Sequence, residues 1–193
     1  MPALIEALQT EDIMLQLLAL QVIQQIGSKA TDAVPMIVAK LQSDNRCVQL
    51  ATASALGAIG ERARVALPLL DTMLESDDEF ARFVVADSIV RIDSASERAI
   101  SVIFNVLYNE TIPHKSCAAA SLGERGHEDT VPDLKQLLND EDAGVRSESS
   151  LAIWKIMGDS TDAMVVGRKL PDDQDWLVRQ IGMEHFEELG VEK

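Results

Sequence analysis

Aromatic residues are scarce in this chain: they make up 4% of 193 residues although 47% are apolar. Sandwich and barrel cores draw on large rings, so this supply favours thin layers of Ala, Leu, Val and Ile. Cysteine is limited to Cys47 and Cys117, too few for a disulfide framework. Positive charge is also short, with 17 Lys plus Arg against 32 Asp plus Glu and a formal net charge of −15. A field of that sign repels phosphate backbones and anionic lipid, which argues against nucleic acid and membrane surfaces as partners. It suits a basic protein or peptide, and it also serves solubility with no partner at all. Long apolar runs are missing: Ile13 to Ile26 is broken by Gln16, Gln21, Gln24 and Gln25, too short and too polar to span a bilayer. The opening Met1-Pro2-Ala3-Leu4-Ile5-Glu6 lacks a cationic start and apolar run, so the sequence reads as cytoplasmic.

What the chain does have is a period. Pro2, Pro35, Pro68 and Ser101 recur every 33 residues, and after one step of 31 the beat resumes at Pro132 and Val165. Gly27, Gly60, Gly126, Gly158 and Gly190 keep the same time, with Asp93 standing in for the third glycine. The period predicts one solenoid of six helical hairpins, with units at approximately 1–33, 34–66, 67–99, 100–130, 131–163 and 164–193. In such an array Cys47 and Cys117 lie about two repeats apart, out of bonding reach.

The second unit displays the pattern. Val34 to Leu41 is a short helix opened by proline, Ser43 is a candidate N-cap, and Val48 to Ile59 is a second helix ended by Gly60. Ala51, Ala53, Ala55 and Gly57 allow neighbouring hairpins to approach closely. Acidic turns recur before each second helix, at Glu11-Asp12, Ser76 to Glu79, Asn109-Glu110, Asp140 to Asp142 and Asp172-Asp173. Ser76 and Glu79 have capping-box spacing.

Pro2-Ala3-Leu4-Ile5-Glu6-Ala7-Leu8, Ala55-Leu56-Gly57-Ala58-Ile59-Gly60 and Ser121-Leu122-Gly123-Glu124-Arg125-Gly126 resemble the short HEAT-like repeats of the phycobilisome-lyase type. That resemblance covers nearly the whole chain and implies an all-α, HEAT/armadillo-like superhelix. It also brings in, as an alternative, a bilin lyase or chromophore-handling subunit, and as another a fragment of a larger HEAT-repeat protein.

Chemistry is not visible in the repeats. HEAT-like deoxyhypusine hydroxylases hold di-iron through His-Glu pairs near the start of second helices, where this chain reads Gln49-Leu50, Arg82-Phe83, Lys115-Ser116, Arg146-Ser147 and Arg179-Gln180. His127-Glu128 stands alone in a loop, and His114 and His185 belong to different units and different helical positions, so no metal or cofactor is expected. Neither a nucleophile elbow nor a phosphate loop occurs. The chain is therefore read as a non-enzymatic protein-binding scaffold with no catalytic residues.

Stacking turns a fixed position of each unit into a row across the concave face lined by the second helices. One row reads Leu17, Leu50, Phe83, Ser116, Ser147 and Gln180, apolar first and polar later. The preceding row reads Gln16, Gln49, Arg82, Lys115, Arg146 and Arg179, whose cations are expected to pair with turn carboxylates such as Asp77, Glu110 or Glu141. Candidate contacts with a protein or peptide are thus Leu17, Leu50, Phe83, Arg82, Lys115, Arg146, Arg179 and Trp154; Trp154 occupies the place of Gly57 and Gly123, and Trp176 opens the last second helix. Arg125 and Pro113 mark the short fourth unit as the place for a kink. Ile13, Met14, Leu15, Leu17, Leu18, Leu20, Val22, Ile23 and Ile26 leave the first second helix only a narrow polar stripe of glutamines, an open end that is either tolerated or covered by a second copy of the chain or an upstream segment.

Overall fold

Proline and aspartate set the helix starts. The computed structural model describes residues 1–108, 114–126, 128–158, 174–176 and 179–180. Pro2, Pro35, Pro68 and Pro132 sit in the first turns of α1 (Pro2–Gln9), α3 (Val34–Ala39), α5 (Leu67–Met73) and α9 (Val131–Leu137). There the missing amide has no intrahelical acceptor to lose. The longer helices α2 (Ile13–Ile26), α4 (Arg46–Ile59), α6 (Glu79–Ile92) and α10 (Ala143–Met157) each start on a side-chain cap. Asp12, Asn45, Asp78 and Asp142 accept from the amides of Leu15, Val48, Ala81 and Val145 at 3.1, 3.2, 2.9 and 3.0 Å. A short acceptor satisfies an orphan N–H, and where it is a carboxylate it also meets the positive end of the helix dipole.

These caps correct two expectations. Ser43 is not the N-cap of α4, nor Ser76 that of α6. Each hydroxyl lies two residues upstream and accepts from the amide of the capping residue, Asn45 at 3.2 Å and Asp78 at 3.3 Å. The serines brace the turn, and the capping oxygen comes from the residue that immediately precedes the helix.

Between a long helix and the next short one the chain runs through 3-10 turns at Gly27–Ala33 and Gly60–Ala66. Gly27 and Gly60 open them with φ of 58° and 77°, a region that side chains with a Cβ rarely enter. Asp93 cannot copy that exit and leaves α6 extended, at φ −140° and ψ 96°. The next helix differs too: α7 (Glu97–Tyr108) starts four residues before Ser101, which holds the proline position of the other units. With an amide at 101 the α-helical ladder runs through a place where Pro35 and Pro68 interrupt it. The boundary that the period sets at residue 100 therefore falls inside a helix.

The last described helix pair is α8 (Lys115–Arg125) and α10, with a 3-10 turn at Glu128–Thr130 leading into α9. No strand occurs among the described residues. The turns at Asn109-Glu110 and Asp172-Asp173, Pro113, His127, Val165, His185 and Gly190 lie outside the described residues, as does the side chain of Arg125.

Two compact units are formed, Met1–Phe104 and Asn105–Lys193. In the first, short helices pack on long ones, and α2, α4 and α6 pack in succession around Leu8, Leu20, Ile23, Ile37, Leu56, Leu70 and Ile89. In the second, α8 and α9 pack on α10 around Leu122, Leu134 and Ile153. Small residues set the spacing: a Cβ on Gly57 would come within 2.9 Å of the Ser88 Cα, and one on Gly123 would overlap the backbone of Ala152. The fold class is all-α, a solenoid of helical hairpins.

Candidate partner-binding surface

The row of cations is first of all a row of clamps. Arg82 Nη1 donates to the Ser76 carbonyl at 2.5 Å, and Arg146 Nη1 donates to the carbonyls of Asp140 at 2.9 Å and Glu141 at 3.0 Å. Arg179 Nη1 reaches the Gln174 carbonyl at 3.0 Å. Gln16 does the same with its amide, Nε2 to the Thr10 carbonyl at 2.5 Å. Turn carboxylates are the partners expected from the sequence, and Arg82 does lie 3.8 Å from Glu79; these hydrogen bonds go to main-chain oxygens of the turn that precedes the helix. The reason is reach. Those carbonyls stand ahead of the helix start and have no donor within the helical ladder, and a side chain in the first turn covers them. Gln16, which carries no charge, shows that hydrogen bonding at this place is what the fold requires.

Two members depart from the clamp. Lys115 Nζ approaches the Asp140 carboxylate at 3.6 Å, with both side chains more than four-fifths buried at 18% and 17% exposure. Gln49 makes no bond to its own turn, although it has the same side chain as Gln16.

The neighbouring row is placed unevenly. Leu17, Leu50 and Ser116 are half-buried, Gln180 is exposed, and Phe83 and Ser147 are buried at 6% and 3% exposure. Arg146 is also buried, at 6%. Phe83 and Arg146 thus support the surface from beneath. Trp154 is half-buried and Trp176 is exposed.

Leu50 and Gln49 come together in a cavity of about 300 Å³, with Met73 and Ala81 beside them and Arg46 and Glu75 at the rim. Both rim charges are tied down. Arg46 bridges to Asp78 at 2.5 Å, a link from the start of α4 to the start of α6, and Glu75 accepts from Arg98 at 3.0 Å. The Asp78 carboxyl is held below its ordinary value chiefly by the Ala81 amide; partial desolvation opposes this, and the Arg46 guanidinium adds to the lowering. Sequence reading missed this cavity because it arises between consecutive repeats. The one available signal was the uncharged Gln49 in a row whose later members are cations.

The repeat model for HEAT repeats matches residues 1–90 and 100–184. The chain belongs to the HEAT-repeat family. Solved HEAT-like and armadillo-like structures share its fold at low identity. A chain of the complex of CpcE and CpcF of phycocyanin lyase from Nostoc sp. PCC7120 is 22% identical with a TM-score of 0.64, over 93% of this chain and 73% of that one. An engineered protein is 20% identical with a TM-score of 0.59 over 98% of both chains. The designed armadillo repeat protein YIII(Dq)4CqI is 18% identical with a TM-score of 0.55, over 97% of this chain and 99% of that one. No curated protein matches the sequence. Among the described residues of these HEAT repeats no helix is long and apolar enough to cross a membrane, and no group of three or more His, Cys, Asp or Glu is placed to hold a metal.

Proposed function

We propose that this HEAT-repeat scaffold works as a non-enzymatic adaptor that binds a protein or peptide along its second helices, with the Leu50 cavity as the anchor point. The observation that carries this reading is Gln49. In a row whose other members cover the turn or bridge to the next one, its carboxamide is left for a ligand, beside an apolar wall of Leu50 and Met73. A carboxamide pairs with a peptide group by one donor and one acceptor, and the wall takes an aliphatic side chain or the stem of a lysine or arginine. The exposed Glu75 and Asp77 and the charge of −15 favour a basic partner, met in the cytoplasm. Leu17, Lys115, Trp154 and Arg179 are the further contacts this reading assigns.

The test is affinity purification with the wild type and with Leu50→Asp, whose circular dichroism must stay that of a folded helical protein. Loss of the main partner supports the anchor; retention of every partner by the folded variant refutes it. A chromophore-handling role is the second reading, supported by the likeness in fold to a lyase subunit. Bilin transfer in a coupled assay would replace the adaptor with it.

A further inference from the structure

Half of the large apolar side chains exposed in the described residues belong to one helix. Met14, Leu15, Leu18 and Val22 of α2 are 67%, 40%, 54% and 41% exposed. With Gln21 and Gln25 they form one stripe, since positions three and four apart share a helix face. Part of the equivalent stripe of later helices is the stacking face, while Cys47 and Phe80, in the place of Met14, stay exposed. Val48 and Ala55 of α4, and Ala81 and Ser88 of α6, are buried, and Ser88 lies against Gly57 of the helix before.

The side chains show what this face does not accept. Stacking between repeats trims the stripe: the place of Leu15 is Val48 and then Ala81, that of Leu18 is Ala51 and then Val84, and that of Val22 is Ala55 and then Ser88. Leu15 and Leu18 exceed the residues in those places, and Val22, in the place of Ser88, is too bulky for the close approach that Ser88 makes to Gly57. They suit a wider helix pair of the coiled-coil kind.

Charge narrows the choice further. Ile13–Ile26 contains no charged residue in a chain whose formal charge is −15. That neutral stretch is where two acidic copies can meet. Leu18 is its centre, with Met14 four residues before and Val22 four residues after. We infer that α2 is a self-association face on which two copies of this chain pair antiparallel about a two-fold axis at Leu18, Met14 of each copy meeting Val22 of the other. The antiparallel sense also sets the two acidic helix starts, Glu11 and Asp12 of each copy, at opposite ends. At 1.5 Å per residue they are about 20 Å apart, beyond the ~8 Å over which charges act at physiological salt. A parallel pair would bring them together. This face is separate from the Leu50 cavity, and it stands or falls independently of the adaptor reading.

A single helix face falls below the ~1,200 Å² of standard interfaces, so the pair is expected to dissociate at tens of micromolar. Sedimentation velocity of the full chain from about 5 to about 500 µM should show monomer giving way to dimer. Leu18→Glu, at a half-exposed position outside the core, should raise the dissociation constant by about thirtyfold or more, because the axis brings two carboxylates together. The second measurement is cross-linking in a Cys47→Ser, Cys117→Ser background, which removes the two exposed native thiols. Oxidised Leu18→Cys should form a disulfide dimer, and Val65→Cys, at an exposed position outside α2, should not. A chain that stays monomeric at the highest concentration overturns the proposal. So does a dimer indifferent to Leu18→Glu, or cross-linking equal at both positions.

Discussion

Helices α6 and α10 start in the same way and are filled differently. Asp78 and Asp142 cap them, and Arg82 and Arg146 reach back to the carbonyls of Ser76 and Asp140. Behind that shared start, α6 buries Phe83, Val85 and Ala86 where α10 buries Ser147, Ser149 and Ser150. The hydroxyls of Ser147 and Ser149 are buried without a hydrogen-bond partner. The contrast separates two jobs that repeats usually merge. Cap and clamp fix where a helix begins, and the residues behind them decide how much that helix contributes to the core.

The widest break in the comparison should come from one column. Phe83→Ala empties a buried ring site in α6 and is expected to destabilise the fold by about 3–5 kcal/mol in urea unfolding. Ser147→Ala at the matching place in α10 removes an unsatisfied hydroxyl, so a gain of about 0.5–1 kcal/mol is expected there. Equal losses at both positions would mean that the serine site carries packing its volume does not suggest.

The shared clamp gives the next effect. Arg146 is buried and donates to two carbonyls, so Arg146→Ala should cost about 2–3 kcal/mol, against about 1 kcal/mol for the more exposed Arg82→Ala. Arg146→Gln should recover about half of the loss, since Gln16 covers the Thr10 carbonyl with one amide. If glutamine recovers nothing, charge matters at this place and the reading of the row as a hydrogen-bond device fails.

Much of this frame is legible in the sequence. The prolines every 33 residues predict the short helices, and Gly27 and Gly60 predict the turns that end the long ones, because each residue acts through its own backbone. What sequence reasoning misses is relational. Ser43 and Asn45 are both good capping residues, and only the helix start tells which oxygen reaches the third amide. Asp93 marks a lost glycine but not that α7 would then begin at Glu97. Phe83 looks like a contact residue in its row and is buried, since rows show register and not depth. The Leu50 cavity needs α4, α5 and α6 together, and no single repeat encodes it.

The smallest effect concerns how the second unit holds its first short helix. Tyr108, at the end of α7, donates its hydroxyl proton to the Asp133 carboxylate on α9. That hydrogen bond is the main cause that pushes the phenol up to about 12 from an ordinary value of 10.0; slight desolvation and the carboxylate charge add to it. The sign follows from the bond: only the neutral phenol donates, and a phenolate beside a carboxylate is repelled. The contribution to stability is therefore complete below pH 10 and is lost as the pH rises through about 12. Tyr108 is the one tyrosine in the chain, so ultraviolet titration of the phenolate band reads this group alone. Asp133→Ala should return the midpoint to about 10. A wild-type midpoint already at 10 would show that solvent competes successfully for Asp133. The buried Arg146 clamp and the Lys115 pair to Asp140 would be unaffected by that result.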